Sequence, residues 1–222
     1  CQRVSPHCRI IQPVARDCAN TYVCNEITHY WRANIIWKVA AFKDSIINSA
    51  TKEDYDYLFL IDSDMVLHPK TLEQLIIDNK DIVAEIWWTN WTPNTVKQAS
   101  VWLTDNYTQY EINPGEELTE QQKTMRYHNF MQKLTTPGLY EVGGLCACTL
   151  ISKKALQAGA RFERIRNLTF WGEDRHFCVR ALALGLELFV DTHYPAYHIY
   201  RESELAGVPE YKENCRNGIY QI

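Results

Sequence analysis

The chain reads as an α/β domain with a central mixed, mostly parallel sheet flanked by helices, and three features predict it. The run Tyr57-Leu58-Phe59-Leu60-Ile61 has the length and apolar character of a buried strand. A long amphipathic helical pattern precedes it, and a helix and a second apolar strand follow, in the rhythm of parallel crossover units. No internal repeat, low-complexity tract or Gly/Ser linker divides the 222 residues, so they read as a single domain, 1–222.

Taken in order, His7 to Val14 suits a short strand, with a loop through Asn25. From Thr28 to Ser49, Trp31, Ile35, Val39, Phe42 and Ile46 recur at helical spacing, with Lys38, Lys43 and Asp44 between them; this predicts a long helix packed on the sheet. The strand ending at Asp62-Ser63-Asp64 comes next. Pro69 then opens a helix with Leu72, Leu75 and Ile76 on one face, closing near Asn79, and Asp81 to Trp88 is a strand.

From Trp91 to Pro137 the pattern is irregular, with Pro114-Gly115 and an acidic patch at Glu116, Glu117 and Glu120. It reads as an insertion at the ligand-binding edge. Tyr140 to Ile151 returns to strand character, and Ser152 caps a short helix that Gly159 ends. Asp174 to Leu184 is a further helix stopped by Gly185, and Leu186 to Val190 a last strand.

Composition narrows the function. A hydrophobic fraction of 46% and a net charge of −4 suit an ordinary globular domain and give no support to a nucleic-acid partner. No apolar stretch is long enough to span a bilayer, and no secretory leader pattern opens the chain. It begins with Cys1 rather than Met, as a fragment or processed product would. Cys1, Cys8, Cys18 and Cys24 could pair as disulfides or, with His7, hold zinc, although their spacings lack a close C-x-x-C pair. Cys146, Cys148 and Cys178, in apolar company, read as reduced buried thiols. The sequons at Asn90, Asn106 and Asn167 matter only in a secreted protein. The expected location is cytoplasmic, with any membrane association supplied by a partner or a segment outside this sequence.

Three segments carry candidate chemistry. In the first, Asp62 and Asp64 lie one residue apart, so on a strand they leave the same face, two hard oxygen donors at its carboxyl end. The second is Trp171-Gly172-Glu173-Asp174, where an aromatic face and a flexible residue precede two carboxylates at a helix start. A sugar ring can stack on the first, and a carboxylate there can serve as general base. Capping and the helix macrodipole also favour acids at such a position. The third, Asp191 to Arg201, contains His193 and His198; an imidazole beside carboxylates suits manganese better than calcium.

In this order the segments resemble a GT-A-type glycosyltransferase, most similar to glycosyltransferase family 2, over about Cys24 to Glu202. The resemblance rests on Leu60-Ile61-Asp62-Ser63-Asp64 as the Asp-x-Asp motif, Gly143-Gly144 before a strand, Trp171-Gly172-Glu173-Asp174, and His198. It implies a metal-dependent transfer of a sugar from a nucleotide-diphosphate donor to an acceptor hydroxyl, with inversion. Asp64 and His198 would hold Mn2+ or Mg2+, and Asp62 would contact the ribose or, through water, the metal. Asp174 would be the base, with Glu173 as its understudy or a binder of acceptor hydroxyls. Gly143 and Gly144 would let the backbone approach the donor sugar, Trp171 would stack on a sugar, and Arg201 would reach the diphosphate.

Trp87, Trp88, Trp91 and Trp102 are candidates for an acceptor groove. One departure stands out: such domains usually place a strand, a base-seating loop and a second strand ahead of the long helix, and only about two dozen residues precede it here. Two other readings compete. One is a non-catalytic sugar-binding or scaffold module on the same fold. The other is a haloacid-dehalogenase-like phosphatase with a nucleophilic first aspartate, which would also need a Gly-Asp-x-x-x-Asp segment that this chain lacks.

Overall fold

The computed structural model describes residues 23–104 and 106–219, so the strand expected at 7–14 lies outside the described residues, as do Cys1, Cys8 and Cys18. A small hairpin, β1 (Val23–Cys24) and β2 (His29–Tyr30), precedes α1 (Ala33–Lys52). Then follow β3 (Tyr57–Leu60), β4 (Met65–Val66), α2 (Thr71–Ile77), β5 (Ile82–Thr89), β6 (Gln98–Ala99) and α3 (Glu120–Leu134). The chain continues through β7 (Leu139–Val142), β8 (Thr149–Ser152), α4 (Lys153–Ala158), α5 (Glu173–Ala183), β9 (Leu188–His198), a 3-10 turn (Glu202–Gly207) and α6 (Val208–Arg216).

The sheet runs β3-β8-β5-β9-β4, with β6 added to β5 and β7 to β9. It is α/β and mixed, as expected, but β5 with β9 is the only parallel pair among the described residues. The crossover β3-α2-β5 does return the chain parallel to itself. Because β8 slots between the two strands and runs against both, the expected parallel contact is replaced by two antiparallel ones. For the same reason β3 is not the buried parallel strand its apolar run suggests. It is half-buried and pairs only with β8 among the described residues.

Alternation along β5 divides the interior. Ile82, Ala84 and Ile86 enter the main core, with Ile47 of α1 and Phe177 and Ala181 of α5, while Val83 faces Leu75 of α2 and Leu150. Helix α1 buries Ile36, Ala40, Lys43, Ile47 and Ala50. That stripe is turned from the expected one: Trp31, Phe42 and Ile46 are exposed, Phe42 at 40%.

The 91–137 stretch is less irregular than it reads. It contains α3, opened by a capping box in which Thr119 accepts from the Gln122 N–H and Gln122 accepts from the Thr119 N–H. Further on, the expected strand at 140–151 is two strands, β7 and β8, separated by the turn at 143–148. The expected final strand extends past Val190 to His198, which puts His193 inside β9 rather than at its end.

Candidate active site

A cavity of about 1030 Å³ opens beside the sheet. It is bordered by Asp62, Asp64, Glu173, Asp174 and His198, by Trp31, Trp87, Trp91, Trp102 and Trp171, and by Val39 and Phe42 on the outward face of α1. Trp88 is not among its lining residues and packs against the main core instead.

The β4–β9 ladder brings the first and third sequence segments together. Met65 lies opposite His198, so Asp64, one residue earlier, meets the imidazole, with Oδ2 3.5 Å from Nε2. Burial works against the Asp64 charge but His198 more than compensates, and its carboxyl is held below the usual range. Asp62 behaves oppositely: burial and the neighbouring Asp64 push its carboxyl up against the pull of Lys43.

The second segment joins them through a lysine. Gly172 turns the chain into α5 at φ 104°, a left-handed conformation that favours glycine, and a Cβ there would overlap the Tyr107 hydroxyl. Glu173 and Asp174 thereby fall in the first turn of α5, with Trp171 standing 55% exposed at the rim. Lys43 of α1, only 8% exposed, places Nζ 2.9 Å from Asp174 Oδ1, 3.0 Å from Glu173 Oε1 and 3.9 Å from Asp62 Oδ1. Burial alone would lower the lysine's pKa, but these carboxylates outweigh it and hold the ammonium charged. Asp174 is pushed up to about 7, by burial first and Glu173 next, with Lys43 opposing.

Two donors here fit a divalent cation. Asp64 Oδ2 and His198 Nε2 face each other at 3.5 Å, while the remaining polar atom of each side chain, Asp64 Oδ1 and His198 Nδ1, is buried without a hydrogen-bond partner among the described residues. The Asp62 carboxylate lies 3.9 Å from the Lys43 ammonium, and no group of three His, Cys, Asp or Glu side chains that could hold a metal ion is found among the described residues.

Two other expectations take a different form. Gly143 and Gly144 do not border the cavity; the space beside them is filled by Leu103 and by the Trp102 indole, which a Cβ at either glycine would strike. Both donate their backbone N–H to the Trp102 carbonyl, at 2.9 and 3.0 Å, so they seat the tryptophan that lines the wall. Arg201 is likewise away from the cavity lining. Its guanidinium donates to the carbonyls of Glu26, Ile27 and Asn90 and pairs with Glu204, tying the β1–β2 hairpin to the end of the sheet.

Lys43, Tyr107 and Arg175 border or enter the site without having been singled out in the sequence. Arg175 donates to the Trp171 carbonyl and the Asn106 side chain and lies over the Phe170 and Tyr107 rings. A readable signal existed for Lys43: it falls seven residues after Ile36 and four before Ile47, a charge on the buried stripe of an amphipathic helix.

Fold and site together define an α/β domain with one acidic, aromatic-walled cavity at the end of a mixed sheet. Comparison with protein-family models and with curated proteins gives no match to either. No helix among the described residues is long and apolar enough to cross a membrane.

Proposed function

We propose that the chain is a metal-dependent glycosyltransferase of GT-A type, resembling family 2, that moves a sugar from a nucleotide-diphosphate donor to an acceptor hydroxyl. The supporting observation is that three segments far apart in sequence meet at one cavity: Asp64 with His198, Asp62 nearby, and Glu173 with Asp174 linked to Asp62 through Lys43.

In this reading Asp64 and His198 hold the cation, Mn2+ or Mg2+, and Asp62 orients the donor's ribose or a metal-bound water. Bound there, the cation supplies Lewis-acid neutralisation of charge on the departing diphosphate. Asp174, borderline in charge near neutral pH, accepts the acceptor's proton as that oxygen attacks the anomeric carbon and the bond to the diphosphate breaks. A single displacement of this kind inverts the anomeric centre. Trp171 and the other cavity tryptophans offer flat apolar faces to sugar rings.

A screen of UDP- and GDP-sugars with manganese, following nucleoside diphosphate release, tests the reading. Turnover of one donor that disappears in Asp64→Ala supports it, and turnover surviving that change refutes it. If no donor turns over and no nucleotide with manganese raises the melting temperature, a non-catalytic module is the better description.

A further inference from the structure

Lys43 occupies a position on α1 where packing alone calls for an apolar residue, between Ala40 and Ile47 on the buried stripe. An isolated buried ion pair is a weak source of stability, and a hydrophobic side chain of similar volume often serves as well. What distinguishes this site is the number of partners. An ammonium group has three N–H donors, and here three carboxylates surround it: two at hydrogen-bond distance on α5 and a third, Asp62, within ion-pair range beyond β3. The Phe162 ring, 4.9 Å from Nζ, closes a further side.

We infer that Lys43 is a positioning residue that bridges the acceptor-side pair Glu173 and Asp174 to the donor-side Asp62, fixing the Asp174 carboxylate where it can meet an incoming hydroxyl. The inference rests on the glycosyltransferase reading for its chemistry and on the three contacts for its geometry. Without the ammonium, adjacent carboxylates in the first turn of α5 would repel one another and Asp62, and Asp174 would lose the bond that orients it. Asp174 remains open to the cavity, its side chain 22% exposed. The groups that face it are Lys43 from α1, Asp62 from the segment after β3, Glu173 and Cys178 on its own helix, and Tyr107 and Cys146 from the neighbouring loops.

The test compares the full chain with Lys43→Met and Lys43→Arg, using UDP-glucose, UDP-galactose, UDP-N-acetylglucosamine and GDP-mannose with manganese. Lys43→Met is expected to lower kcat about a hundredfold with donor KM little changed, and to move the acid limb of the pH–rate profile upward. Lys43→Arg, which keeps the charge, regains much of the loss. A Lys43→Met enzyme with the wild-type kcat and acid limb overturns the inference.

A second readout needs no turnover. Amidation of Asp174 by a carbodiimide and an amine, followed by peptide mass spectrometry, becomes faster in Lys43→Met; equal labelling overturns the bridge. Failure of every donor in the wild type, with no melting-temperature shift from any nucleotide with manganese, would refute the glycosyltransferase reading while the labelling still decides on Lys43. Should Lys43→Met not fold, Lys43→Arg and the double variant Lys43→Met/Glu173→Gln, which removes one unpaired charge, carry the same comparisons.

Discussion

Asp64 and Ile199 share a backbone hydrogen bond, 2.9 Å from the Ile199 nitrogen to the Asp64 carbonyl, at the end of the β4–β9 ladder. This bond fixes the Asp64 backbone beside the strand that carries His198, independent of any ligand. Under the proposed function, this pairing would place an oxygen and a nitrogen ligand together before a cation arrives and lower the ordering cost of binding one.

That pre-arrangement predicts a metal response readable without substrate. Manganese at about a hundred times its dissociation constant would stabilise the protein by about 2.7 kcal/mol, equivalent to roughly 5–10 °C in melting temperature for a chain of this size. His198→Ala and Asp64→Ala should each abolish the shift. A full manganese shift in either variant would place the cation elsewhere.

If Asp174 is the base, as proposed, it sets the expected pH dependence. A base works only as the anion, and this carboxyl is raised to about 7. The rate should therefore fall as pH drops through about 7 and level off above it. A profile that stays flat down to ordinary carboxylate values, about 4, would remove Asp174 from the role. Asp174→Asn should cost about 10²–10⁴-fold in kcat, with a smaller loss for Glu173→Gln.

Gly144 supports the cavity wall by leaving room for Trp102. Gly144→Ala should therefore destabilise the fold by about 1–3 kcal/mol, an overpacking cost, and lower the melting temperature by about 2–4 °C per kcal/mol. An unchanged melting temperature would show that the indole can move aside.

On the α2 side of the sheet, Glu85 of β5 is fully buried at 0% exposure, opposite Asp191 in the parallel register. Burial, and then Asp191, push its carboxyl up to about 10. Below an unfolded pKa of about 4.3 the acid is protonated in both states and nothing is lost. Above it only the unfolded chain ionises, so stability drains away as pH rises toward about 10. Glu85→Gln removes that loss. It should gain of order 3 kcal/mol at pH 7 and almost nothing near pH 4, as urea melts at the two pH values would reveal.

The sequence by itself determined the elements and the chemical types at the site. Periodicity marked α1 and α5, Ser152 and Gly159 bounded α4, and the spacing Asp62-x-Asp64 and the run Trp171 to Asp174 identified the acids, because these are local properties of neighbouring residues. Tertiary structure decided most of the partners, though the Asp64–His198 pairing was already expected from the sequence. Insertion of β8 between β3 and β5 made the sheet largely antiparallel, and the β4–β9 register put His198 rather than His193 beside Asp64. Packing of α1 on α5 drew Lys43 into the acidic cluster, while Arg201 and the two glycines were taken up by backbone contacts. Such outcomes depend on which surfaces meet between segments distant in the chain, and no local pattern encodes that.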